Sequence, residues 1–104
     1  MKEMMENNQI IAEFMGCKHS KYEDMYSLGC GDFHYEDLAY DYDWNWLMPV
    51  IEKIESLGYV FTIQGGKAEY GETISETRCF IAEDKMSSTY KAVVEFIKEY
   101  NQNN

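Results

Sequence analysis

The chain has 104 residues, a net charge of −10, and a composition that is 45% hydrophobic and 15% aromatic. That length makes one domain, 1–104, with one modest core, and the hydrophobic and aromatic content excludes an intrinsically disordered chain. No stretch approaches the roughly 18 apolar residues of a membrane span. The strongly negative field opposes phosphate contacts, so neither nucleic acid nor a membrane is an expected partner.

The start, MKEMMENNQ, is acidic and polar and lacks the apolar run of a secretory signal. Cys17, Cys30 and Cys79 are an odd number of cysteines in such a chain, and they read as reduced thiols of a cytoplasmic protein.

In chain order, the pattern first predicts a short helix over Asn8 to Met15, capped by Asn7 or Asn8, with Ile10, Ile11, Phe14 and Met15 on one face and Gly16 as its stop. MYSLGCGDFHY reads as two short strands around Gly29-Cys30-Gly31. Leu47, Val50, Ile51, Ile54 and Leu57 recur at helical spacing and Gly58 follows as a stop. Asp43 or Asn45 caps that helix; with Asp43 as the cap, Pro49 distorts the first turns, and with Asn45 it falls inside the first turn.

YVFTIQ, Gly65-Gly66 and KAEY then read as a hairpin. TISETRCFIAE forms a further strand, with Cys79 and Ile81 on one face and Arg78 and Phe80 on the other. A last helix starts near Ser87 or Ser88 and carries Tyr90, Val93, Val94, Ile97 and Tyr100 as its stripe, before a frayed NQNN tail. The expected fold is α+β, in the order α-β-β-α-β-β-α. Two long helices and a short N-terminal one pack a mostly antiparallel sheet of about four strands.

Three blocks, IIAEFMG, WNWLMPVIEKIESLGY and YKAVVEFIKEYN, resemble small phage, prophage and Bacteroidetes proteins of unknown function. The order of elements is similar to the phage ABA sandwich domain family. The resemblance covers about half of the chain. It implies a fold and a phage or prophage origin, and with it the cytoplasm of a bacterial host cell. It carries over no catalytic residues.

Chemistry is sparsely marked. Cys17, His19, Cys30 and His34 can be drawn as a zinc set, but a one-residue spacing in the first pair is unusual for a tetrahedral site. Asp41, Asp43, Asn45 and Glu52 reproduce four positions of a calcium loop, but Trp46 stands where the sharp turn needs glycine. No nucleophile and base announce themselves, and neither a Walker loop nor a dinucleotide fingerprint is present. The expectation is therefore a non-enzymatic protein without metal or cofactor.

The remaining signal is acidic and aromatic. Between Lys21 and Lys53 there is no Lys or Arg, while Glu23, Asp24, Asp32, Glu36, Asp37, Asp41, Asp43 and Glu52 all fall there. Rings crowd the same interval. In an extended chain Tyr40, Tyr42, Trp44 and Trp46 would share a face opposite Asp41 and Asp43. Tyr and Trp suit interface centres, and carboxylates around them suit Arg and Lys on a partner. The competing reading is an amphipathic entry to the helix that fills the core, and the expectation is mixed, with Trp46 and one tyrosine inside and the remaining rings rimming a surface.

The expected docking residues are Tyr35, Asp37, Tyr40, Asp41, Tyr42, Asp43 and Trp44. The leading expectation is a small acidic protein that binds a basic host protein and inhibits it, an antiviral defence protein being one such target. A second reading is sequestration of a nucleotide signal, with Lys67, Arg78 or Lys85 meeting phosphate. A third is a virion structural accessory protein, with homo-oligomers as its natural state.

Overall fold

The computed structural model describes the backbone of residues 2–16, 18–19, 25–27, 32–34 and 38–103, and the side chains of 6–16 and 38–102. The order is α1 (Lys2–Phe14), β1 (Lys18–His19), β2 (Met25–Ser27), β3 (Asp32–His34), α2 (Trp44–Ser56), β4 (Val60–Gln64), β5 (Lys67–Thr73), β6 (Glu76–Ile81) and α3 (Lys85–Asn103). The α+β class stands, and every described strand pairing is antiparallel. The strands form two three-stranded sheets, β1-β2-β3 and β4-β5-β6, and not one sheet of about four.

The larger sheet follows the alternation of its sequence. Phe61, Ala68, Tyr70 and Phe80 are buried, while Thr62, Cys79 and Ile81 on the opposite face are exposed. This is the one-sided burial open to antiparallel sheets. The buried face meets α3, whose Ala92, Val93, Phe96 and Ile97 fill the core with Leu47, Val50, Ile51 and Ile54 of α2 and Ile11 of α1. Gly65 turns β4 into β5 at φ +60. At the far end Gly71 pairs with Thr77 and Thr73 with Glu76, so Glu72 is the extra residue of a β-bulge. The strand expected to run from Thr73 is thus interrupted by a turn at Ile74-Ser75 before β6 begins.

Helix limits differ from expectation in instructive ways. Asp43 is the cap of α2, accepting from the Asn45 N–H at 2.9 Å. Pro49 therefore lies inside the helix, and it removes the N–H that would bond the Asn45 carbonyl. Both residues are exposed, so the Asn45 carbonyl is on the solvent side of the helix, where the lost bond costs least. Gly58 follows the helix at φ +97, the left-handed stop its position predicts.

α3 begins earlier than Ser87, because Asp84 caps it by accepting the Ser87 N–H at 2.7 Å. Ser88 is wholly buried instead: its hydroxyl donates to the Gly66 carbonyl at 2.6 Å and accepts the Ala82 N–H at 2.7 Å. That one hydroxyl ties α3 to the end of the β5-β6 ladder where Lys67 pairs with Ile81. α3 also continues to Asn103, through most of the tail expected to fray.

α1 has 13 residues, as many as α2, so it is not the short helix expected. Asn8 is in its middle and cannot cap it. The Asn8 side chain is 5% exposed and bridges three elements. Its Nδ2 donates to the Leu38 carbonyl at 3.1 Å and to Asp41 Oδ1 at 3.0 Å, and its Oδ1 accepts from the Tyr90 hydroxyl at 2.8 Å. At the C-terminal end of α1, Lys53 Nζ donates to the Phe14 carbonyl and lies 4.6 Å from the centre of the Phe14 ring. Both arrangements satisfy backbone groups that a helix end or loop would otherwise leave open.

Candidate functional site

The described part of the segment before α2 is mixed, with one tyrosine turned into the core and another exposed. Residues 39–42 form a turn, with the Tyr42 and Asp43 N–H groups both donating to the Ala39 carbonyl at 3.3 and 2.9 Å. Strict alternation fails because it presumes extended backbone. Tyr40 turns inward, is 3% exposed, and packs edge-on against Trp46 with ring centres 5.3 Å apart. Trp44 is half-buried against the same core.

The carboxylates there have local work. Asp41 accepts from Asn8, and Asp43 caps α2. Tyr42 alone among the described rings of this segment stands out, at 68% exposure. Tyr40 is thus corrected from docking residue to core, and Asp41 and Asp43 hold the fold together. Tyr35 and Asp37 lie outside the described residues, as do the side chains of Cys17, His19, Cys30 and His34. Among the described residues no three His, Cys, Asp or Glu side chains gather as a metal requires. Of the calcium-loop set, Asp41 and Asp43 have the roles just given, and Asn45 and Glu52 are exposed on α2.

A different place gathers the same chemistry. Between the bulged end of β5-β6 and the last turns of α3 lies a groove of about 210 Å³. Tyr59, Tyr70, Phe96 and Tyr100 form its aromatic lining. Phe96 is the hub: its ring centre lies 4.9 Å from Tyr59 and 5.4 Å from Tyr70, both edge-on, and 5.8 Å from Tyr100, stacked. Such geometry follows the ring quadrupole and adds to area burial. Gly71, Glu72, Glu76, Arg78 and Glu99 complete the wall. The bulge is what brings Glu72 to this rim beside Glu76.

Arg78, Glu99 and Tyr70 form a hydrogen-bonded triad. Arg78 Nη1 donates to Glu99 Oε2 at 2.8 Å and to the Tyr70 hydroxyl at 3.2 Å, and that hydroxyl donates to Glu99 Oε2 at 3.0 Å. The guanidinium also lies 5.4 Å from the Phe80 ring centre. Burial, then the bond to Glu99, pushes the Tyr70 phenol up to about 12, against the opposing effect of Arg78. The bond to Glu99 is also the main reason that the Arg78 guanidinium is held still more firmly protonated than usual.

Of the three cations expected to meet an anion, only Arg78 reaches this groove. Lys67 and Lys85 do not line it, so the expected convergence of positive charge is absent among the described residues. The wall instead holds three carboxylates against one guanidinium. Glu72 and Glu76 carry no ion pair among the described residues, whereas Glu99 is engaged by Arg78. The sequence marks Arg78 only as an anion contact and Tyr100 only as part of a helical stripe, and it leaves Phe96 unmarked, although Phe96 sits three residues after Val93 and four before Tyr100 on that stripe.

No family model matches the chain, and no curated protein or solved structure matches it either. Among the described residues no helix is long and apolar enough to cross a membrane. The class is α+β: the described residues form three helices and antiparallel sheets, one of which is covered by helices on a single face.

Proposed function

We propose that this is a small, acidic, non-enzymatic binding protein that docks on a basic surface of another protein, and that the aromatic groove between β5-β6 and α3 is part of its docking face. The observation that carries the reading is the pairing of four aromatic side chains with Glu72, Glu76 and Glu99 in one concave wall. Rings supply buried area at low rotamer cost, and carboxylates around them select cations and steer their approach. The resemblance of three sequence blocks to phage and prophage proteins makes a host factor, such as one serving antiviral defence, the favoured partner and inhibition the favoured outcome.

Capture from bacterial host lysate with mass spectrometry, repeated at low and high salt, tests the proposal. Retention should fall steeply as salt screens the exposed carboxylates. A partner held with equal strength at both salt concentrations contradicts it. Sequestration of a nucleotide signal is the rival outcome, and a thermal shift with cyclic dinucleotides or ADP-ribose derivatives would favour it. A volume of about 210 Å³ falls below the roughly 300–1,000 Å³ usual for small-molecule pockets, which supports a side chain as occupant over a nucleotide.

A further inference from the structure

We infer that the groove receives the guanidinium of an arginine on the partner, seated against Tyr59 and Tyr100 and paired with Glu72 and Glu76. The inference deepens the proposed docking role and rests on it. Three features select this ligand.

The first is charge. Three carboxylates and one guanidinium line the groove, and Arg78 already bonds Glu99, so Glu72 and Glu76 remain for an incoming cation. The second is the mode of contact, which the molecule itself displays. Arg78 of this wall lies beside the Tyr70 ring and the neighbouring Phe80 ring while bonded to a carboxylate, so a planar cation is already held here by rings and a carboxylate together. A guanidinium suits that arrangement better than an ammonium, because it is planar, weakly hydrated and able to bond a carboxylate through two N–H groups. The third is size. A space of about 210 Å³ is roughly seven times the share of one liquid water molecule, the scale of one long side chain.

The bulge places the two available carboxylates. A regular ladder would set Glu72 within a paired position of β5. The extra residue re-aims it at the rim, where Glu76 of the facing strand also stands. Gly71 permits this, since a Cβ there would come within 2.0 Å of the Glu76 carbonyl oxygen.

The test is an NMR titration of isotope-labelled protein with the peptide acetyl-Gly-Arg-Gly-amide, beside its citrulline and lysine counterparts. The expected result is saturable shifts centred on Tyr59, Tyr100, Gly71 and Glu76, with none from citrulline and weaker ones from lysine. Glu72→Gln with Glu76→Gln should weaken the arginine peptide by about fivefold or more. Both glutamates are exposed, so the variant keeps its fold, as its spectrum will verify. Scattered shifts, an equal response to citrulline or lysine, or an unchanged affinity in the double variant would overturn the inference. The docking proposal fails separately: saturable arginine binding with no salt-sensitive partner in lysate removes the docking role and keeps the site. A salt-sensitive partner indifferent to the double variant removes the site and keeps the docking role.

Discussion

Asn8→Ala is the substitution whose cost the structure specifies most closely. The change removes three hydrogen bonds, to Leu38, Asp41 and Tyr90, from a position in the middle of α1. A neutral bond contributes about 1 kcal/mol and one to a charged group about 1.5–3 kcal/mol, which sums to about 3.5–5 kcal/mol. Two effects reduce the loss. Ala is a better helix former than Asn by roughly 0.5–0.7 kcal/mol. Asp41 is half-exposed and can exchange its lost donor for water. The expected net loss is therefore about 2–4 kcal/mol, a large share of the roughly 5–15 kcal/mol typical of a domain. Urea unfolding followed by circular dichroism measures it, and the midpoint should fall with the slope unchanged. A loss under about 0.5 kcal/mol, the range of an ordinary surface change, would refute the account of Asn8 as the link between α1, the turn at 39–42 and α3.

Three further outcomes follow from the same structure. Ser88→Ala removes the hydroxyl that bonds the Gly66 carbonyl and the Ala82 N–H, two bonds at part-buried positions, and should cost about 1–3 kcal/mol in the same unfolding assay. Gly71→Ala pushes a Cβ against the Glu76 carbonyl oxygen, and it should cost about 1–3 kcal/mol and shift the amide resonances of the β5-β6 turn. The Tyr70 phenol, raised from 10.0 to about 12 in the folded protein, favours the neutral form. The stability it contributes is complete below pH 10 and is lost as pH rises towards 12. The near-ultraviolet tyrosinate absorbance of the protein minus that of Tyr70→Phe should titrate in this upper range; a difference whose midpoint lies at the ordinary 10.0 would contradict the hydrogen-bonded triad.

Local signals were readable wherever a single segment decides its own conformation. The spacing of Leu47, Val50, Ile51 and Ile54 marks α2 and Gly65-Gly66 joins β4 to β5, both as the residues predict, and of the two caps open to α2 the structure uses Asp43. β2 and β3 likewise pair across the interval of Gly29-Cys30-Gly31. What failed depends on partners distant in sequence. Asn8 looks like a cap because short polar residues near a chain start commonly are one, yet its three partners lie 30, 33 and 82 residues away. Tyr40 and Asp41 look like a docking edge because alternation assumes a straight strand, and the turn on Ala39 breaks that assumption. The groove draws on Tyr59, the bulge of β5, Arg78 of β6 and three residues of α3, and only the folded sheet and helix bring them together. The acidic-aromatic chemistry was legible as a composition, but its location was not.

The most direct test measures the dissociation constant of a captured partner across a salt series, for the native protein, for Tyr42→Ala and for Glu72→Gln with Glu76→Gln. The account predicts that the double variant binds more weakly and loses much of its salt dependence, while Tyr42→Ala, altered on the segment before α2, behaves like the native protein. The reverse pattern, with Tyr42→Ala impaired and the double variant unaffected, would contradict it.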